Sequence, residues 1–125
     1  MEIIKSIKDM NERSIKAFKK GISIGFTPTM GFLHDGHLNL FKECRKENDL
    51  VIASIFVNPI QFIPSEDLEK YPKDLEGDKA KLVSENVDIL FLPNKNELYP
   101  EGFKTAVNVG KISEKLCGQS RPMLF

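Results

Sequence analysis

Cysteine is scarce in this chain: Cys44 and Cys117 are the only two among 125 residues. They stand far apart, with no Cys-x2-Cys pair and no Cys/His cluster. That argues against a disulfide framework or a thiolate metal site and leaves two reduced thiols as the expectation. Excess charge is lacking too, since 18 basic side chains balance 18 acidic ones, so no net field draws the chain to nucleic acid. No apolar run approaches the roughly 20 residues that span a bilayer, and Met1 to Lys5 carries no signal-like apolar core. The expectation is a soluble, cytoplasmic protein with no membrane partner. Repeats, low-complexity tracts and interdomain linkers are also missing, and 125 residues suit one small domain or part of a larger one. Histidine is equally scarce, yet both copies, His34 and His37, fall three residues apart within Phe26 to Leu40.

Around that stretch the pattern alternates. Ser6 to Lys20 carries Ile7, Met10, Ala17 and Phe18 at helical spacing and stops at Gly21, which predicts an amphipathic helix. Ile22, Ile24 and Phe26 alternate with Ser23 and Gly25 and predict a short strand that ends at Pro28. His37 to Glu47 reads as a helix with Leu38, Phe41 and Cys44 inward. Val51 to Val57 is almost continuously apolar, as a strand covered on both faces must be. Asn58 to Pro72, rich in Pro, Ser and charge, reads as one long loop. Asp74 to Glu85 predicts a weaker helix, with Leu75, Leu82 and Val83 on one side and Gly77 interrupting it. Val87 to Leu92 is a second buried strand, Thr105 to Val109 a short one, and Lys111 to Leu116 a short helix. This alternation predicts an α/β fold, a doubly wound parallel sheet with right-handed crossovers.

The layout puts the histidines where a strand's carboxyl end meets a helix start, the place where open α/β sheets bind ligands. A helix start offers unpaired N–H groups and the positive end of the helix dipole, both suited to phosphate oxygens. Gly31 supplies backbone angles closed to other residues, and Gly36 leaves no side chain to hold a nucleotide off. With spacing i, i+3 in a first turn, both imidazoles can point to one side. Beside a polyphosphate they would hold a proton more readily, and as donors they could stabilise charge on a transferring phosphorus and its departing pyrophosphate. The plainer alternative is a capping or surface histidine pair. Chelation by His-x2-His lacks a third ligand at metal spacing, so no metal site is expected.

Thr27-Pro28-Thr29-Met30-Gly31-Phe32-Leu33-His34-Asp35-Gly36-His37 resembles the signature of the pantothenate synthetase family, the pantoate and β-alanine ligases, within the His-x-Gly-His nucleotidylyltransferase superfamily. Ser54 to Phe62 is similar to a second family segment, continued by Glu66-Asp67 and Tyr71-Pro72. Leu116-Cys117-Gly118 with Ser120-Arg121-Pro122 is similar to a third. The resemblance covers essentially the whole chain and implies the amino-terminal part of a Rossmann-like domain over 1–125. It implies ATP as a substrate that adenylates the carboxylate of pantoate with release of pyrophosphate. β-Alanine then attacks the pantoyl adenylate, giving pantothenate and AMP. By the same carry-over, Met30, Gly31, Phe32, Leu33, His34, Asp35, Gly36 and His37 contact ATP, with His34 and His37 at its phosphates and His37 as proton donor. Gln61 binds pantoate and lies near β-alanine; as a plain loop residue it would carry no role. Pro28 and Thr29 shape the pocket. Asn58 either contacts ligand or anchors the loop through an Asx turn. Tyr71 packs over substrate or closes its loop, and Arg121 meets an anion or stays solvated.

After Pro122 this sequence reads Met123-Leu124-Phe125 where the family has Gly-His-Phe and continues. The family's phosphate-binding Lys, its magnesium-linked Asp, its Ser-Arg lid and its small carboxy-terminal domain have no counterpart here. The expectation is therefore half a site: Mg2+ accompanies ATP on ligands beyond this chain, the complete enzyme is a homodimer, and the isolated chain is a poor ligase. A nucleotidylyltransferase of the same superfamily and a noncatalytic nucleotide-binding fragment are the rival readings.

Overall fold

The computed structural model describes residues 1–62, 71–107 and 109–114. Strands β1 (Glu2–Ile4), β2 (Ile24–Thr29), β3 (Leu50–Ile55) and β4 (Ile89–Phe91) alternate with helices α1 (Ile7–Lys19), α2 (Asp35–Glu47), α3 (Leu75–Ser84) and α4 (Lys95–Leu98). The strands form one parallel sheet in the order β1-β4-β3-β2. This is the parallel α/β sheet that the alternation predicts, with the Rossmann-like architecture that the resemblance implies.

β3 explains why the sheet is two-sided. Its Val51 and Ala53 join Leu33, Phe41, Leu82, Val87 and Leu90 in one core, built with α2 and α3. The intervening Leu50 and Ile52 join Ile4, Met10, Ala17 and Ile89 in a second core, built with α1. Successive strand residues face opposite ways, so a strand with a core on each side needs apolar residues throughout. Cys44, a free thiol on α2, packs against the first core. No helix among the described residues is long and apolar enough to cross a membrane.

Several expected elements shift. β2 does not end at Pro28 but runs one residue further, to Thr29. It is an edge strand in this sheet, and the Thr29 carbonyl accepts from Phe56 on the β3 side, so the next residue back, Pro28, turns its missing donor to the outer edge. β1 is an addition, paired in parallel with β4. α2 begins two residues before the predicted His37 because His34 caps it. In α1 the buried residues are Met10 and Ala17, whereas Phe18 is 78% exposed, a helical step off that stripe. α3 turns Asp78 and Leu82 inward and leaves Leu75 and Val83 exposed. Gly77 does not interrupt α3: it sits in the first turn and donates its N–H to the Asp74 cap. Residues 105–107 and 109 form no strand, and a 3-10 helix covers Gly110–Glu114 where a helix from Lys111 was predicted. The predicted loop from Asn58 opens with a 3-10 turn at Pro59–Gln61, while 63–70 and Cys117 lie outside the described residues.

Candidate active site

A cleft of about 510 Å3 opens across the carboxyl ends of β2, β3 and β4. Its lining includes Pro28 and Thr29 at the end of β2, Met30 just after it, Asn58 and Gln61 after β3, and His37 from the first turn of α2. These residues are scattered over the sequence, and the parallel sheet brings them together because every strand ends on the same side.

The segment between β2 and α2 is held from several directions. Thr29 donates its hydroxyl to the Ser54 carbonyl at 2.8 Å and accepts from Gly31 N–H at 3.2 Å. Gly31 and Phe32 then take left-handed backbone angles, with φ of 84° and 52°. Glycine is required at the first of these, since a Cβ there would lie 3.0 Å from Asp78 Oδ2 and 3.1 Å from Ile55 Cγ2. Leu33 is 3% exposed and packs its side chain into the core beside Phe41. Its backbone is held as well: the N–H groups of Phe32 and Leu33 donate to the two oxygens of Asp78 at 2.8 and 2.7 Å, and Lys81 Nζ donates to the Leu33 carbonyl at 2.6 Å.

His34 is the cap of α2. Its Nδ1 accepts from Gly36 N–H at 3.1 Å, and its own N–H donates to His37 Nδ1 at 3.3 Å, a reciprocal box made of two imidazoles. The rings lie 4.1 Å apart at 48°. With both Nδ1 atoms accepting, the neutral rings carry hydrogen on Nε2 and can donate from there. Partial burial and, next, the neighbouring His34 lower the pKa of His37 from the ordinary imidazole value, against an upward pull from Asp78. The free protein therefore favours an uncharged His37; the stronger proton affinity expected of it belongs to a phosphate-bound state.

Two sequence arguments need correction here. The start of α2 does not offer an open row of N–H groups: Gly36 donates to the His34 ring, while His37 and Leu38 donate to the His34 carbonyl. The space beside Gly36 is not left for a nucleotide either, since a Cβ there would meet the His34 ring at 2.8 Å. Glycine at 36 admits the cap.

Of the remaining candidates, Asn58 accepts from Ile60 N–H at 3.2 Å and from the Tyr99 hydroxyl at 3.1 Å, so the expected Asx-type turn is present even though the residue also lines the cleft. Gln61 ends that turn. Tyr71 stands edge-on to Phe62 with ring centres 5.7 Å apart, away from the cleft lining. Gly31 and Phe32 line a smaller neighbouring hollow of about 210 Å3 together with Met30 and Asp78. Asp35 and Gly36 are exposed at the start of α2, and Arg121 lies outside the described residues. Sequence reasoning missed Asp78 and Lys81 on α3. The available signal was an acidic residue one helical turn before the buried Leu82, on the face that should have been apolar.

A family model described as pantoate-β-alanine ligase matches residues 2–125. The chain is 56% identical over 125 residues to a pantothenate synthetase of Thermodesulfovibrio yellowstonii and 52% identical to that of Caldicellulosiruptor bescii, covering all of this chain but 45% and 44% of those proteins. A solved pantoate-β-alanine ligase from Francisella tularensis, complexed with β-γ ATP and β-alanine, superposes with a TM-score of 0.89 at 42% identity, covering 99% of this chain and 48% of that one. Pantothenate synthetase from Thermus thermophilus gives 0.83 at 43% identity, over 100% and 44%. The chain thus spans less than half the length of the relatives it matches. By its matched sequence and its sheet, it belongs to the pantoate-β-alanine ligase family.

Proposed function

We propose that this chain supplies the phosphate-facing half of an AMP-forming ligase that joins pantoate to β-alanine, and that it is the amino-terminal part of that enzyme's Rossmann-like domain. A pantoate carboxylate oxygen attacks the α-phosphorus of ATP, and the bond to pyrophosphate breaks. The β-alanine nitrogen then attacks the acyl carbon of the mixed anhydride, AMP leaves with the bonding electrons, and the amine gives up a proton. Adenylation serves because a free carboxylate is a poor acyl donor.

In this reading the segment Met30 to His37 faces ATP, with Leu33 as its internal anchor, since its side chain is in the core and its N–H and carbonyl are held by Asp78 and Lys81. His34 and His37 donate from Nε2 to the phosphates, and His37 is the proton donor as pyrophosphate departs. Gln61 holds the pantoate hydroxyls and carboxylate beside the entry of β-alanine. Pro28, Thr29 and Asn58 shape the floor, Tyr71 closes its loop against Phe62, and Arg121 is assigned an anion. Mg2+ would travel on the ATP phosphates; no group of three His, Cys, Asp or Glu side chains among the described residues suits a metal ion, so no step is routed through it. The complete enzyme is read as a cytoplasmic homodimer that takes no nucleic acid.

One observation carries the proposal: His37 and Gln61, 24 positions apart in the sequence, line the same cleft. A nucleotidylyltransferase would need the first and have no use for the second. ATP titrated into the 125-residue chain should give binding heat and shift the imidazole signals of His34 and His37. Binding without any histidine response, or no heat at all, would overturn the phosphate assignment. Pantoate-dependent ATP/pyrophosphate exchange should be slight in this chain alone, and brisk exchange would refute the half-site reading. In a full-length relative, adding β-alanine after pantoate should release AMP; its failure to do so would favour the nucleotidylyltransferase.

A further inference from the structure

We propose that Asp78 is the positioning residue of the histidine pair: its buried carboxylate fixes the backbone of Phe32 and Leu33 and so seats His34 as the cap of α2. The inference rests on the phosphate reading only for its catalytic meaning; its geometry stands alone.

Asp78 is 2% exposed, on a helix that turns the fully buried Leu82 the same way. A carboxylate in that place is tolerable only if donors surround it. It has two, the consecutive N–H groups of Phe32 and Leu33, one to each oxygen. The dependence is mutual. Phe32 has φ of 52°, a left-handed angle that a bulky side chain holds only where its surroundings over-determine it. Here those surroundings are Asp78 on the N–H side, Lys81 on the Leu33 carbonyl, and the Leu33 side chain in the core. Beyond Leu33 the next N–H is that of His34, which donates to His37 Nδ1. Turning the Phe32–Leu33 unit therefore turns the donor that fixes the tautomer of His37. The Asp78 charge also offsets part of the lowering of the His37 pKa.

There is a chemical corollary. Two adjacent backbone N–H groups in a glycine turn are the usual seat of a phosphate oxygen. Here a carboxylate of the protein already fills it, which leaves the imidazole Nε2 edges to meet the nucleotide.

The test is nitrogen-15 NMR of the 125-residue chain, whose only histidines are His34 and His37. Asp78→Asn keeps the size, but its amide can accept from one N–H while its NH2 group confronts the other. The His37 pattern should move from the Nε2–H form toward a mixture. The amide that loses its acceptor should exchange on the order of tenfold faster, as the loss of a charge-assisted hydrogen bond implies. Val83→Gly, which loosens the same helix from its exposed face and leaves the core against Leu33 intact, should leave the tautomer unchanged in its folded molecules. A folded Asp78→Asn chain with the parental imidazole pattern would overturn the proposal. If that variant does not fold, exchange in the unaltered chain decides: Phe32 and Leu33 amides protected like those of β3 support the clamp, and amides exchanging like exposed loop refute it. A changed tautomer with unaltered ATP affinity would leave Asp78 as the positioning residue and sink the phosphate reading instead.

Discussion

Replacing Gly31 with Ala should destabilise the chain by about 2 kcal/mol, and the structure says how that sum arises. At φ of 84° an L-residue carries left-handed strain of about 1–2 kcal/mol. The added Cβ would lie 3.0 Å from Asp78 Oδ2 and 3.1 Å from Ile55 Cγ2. Neither neighbour yields freely, since one is held by two N–H groups and the other packs against the first core. Crowding of that kind costs about 1 kcal/mol or more. Against both stands the smaller conformational freedom of unfolded Ala, which returns roughly 0.4–1 kcal/mol. Gly102 is the internal control: its φ is 80°, but nothing lies within 4 Å of its would-be Cβ, so Gly102→Ala carries the backbone strain without the crowding. Urea unfolding of both variants at equal slope isolates the contact. Gly31→Ala should be the weaker by about 1 kcal/mol, and its histidine signals should shift where those of Gly102→Ala do not. Equal midpoints for the two variants would refute the claim that Asp78 and Ile55 wall in the turn.

Thr29→Val removes a hydroxyl that joins the Ser54 carbonyl to Gly31 N–H and should cost about 1–2 kcal/mol in urea unfolding, because a polar pair loses its partner. The pH dependence follows from His37. Its folded pKa lies below the ordinary value through partial burial and then His34, so on acidification the unfolded chain takes up the proton first. This contribution is complete above about pH 6.5, is lost as the pH falls below that, and levels off once the folded group titrates. His37→Gln should flatten this part of the urea midpoint profile, and an unchanged acid slope would count against it. ATP phosphates should draw the proton back, so binding near neutral pH should take up protons when calorimetry is repeated in buffers of different ionisation heat; release instead would contradict a phosphate beside His37.

The parts of the fold that could be read in sequence were those whose physics is local. Val51 to Val57 announces a strand with two cores, observed over Leu50–Ile55, because nearly every residue has to be apolar, and Leu38, Phe41 and Cys44 mark the inner face of α2 by spacing alone. β1 escaped because it is three residues long and Ile3 remains 43% exposed, so only Ile4 in the second core and the pairing with β4 hold it. The end of β2 was misjudged because Pro28 breaks an inner strand but not an outer edge, and position in a sheet is not written in the strand itself. Phe18 looked inward on hydrophobicity, yet the stripe is set by Met10 and Ala17. Of the contiguous motif, Pro28, Thr29, Met30 and His37 come to line the cleft, a grouping that the strand-to-helix junction makes legible in sequence. Asp78 and Lys81 were missed because their partners are backbone groups 46 and 48 positions away, which residue types do not name; the acidic residue on an apolar face marks Asp78 as unusual without saying what it holds.

The imidazole cap also selects the sign of the ion that the pair can receive. A cation needs a ring nitrogen with its lone pair free, and at both histidines the nitrogen with that lone pair, Nδ1, faces inward to a backbone donor. Freeing an outward lone pair would move the ring hydrogen to Nδ1 and break the box that starts α2. Chelation would thus be opposed by unwinding of the helix's first turn, whereas an anion approaching the Nε2–H edges leaves that turn intact.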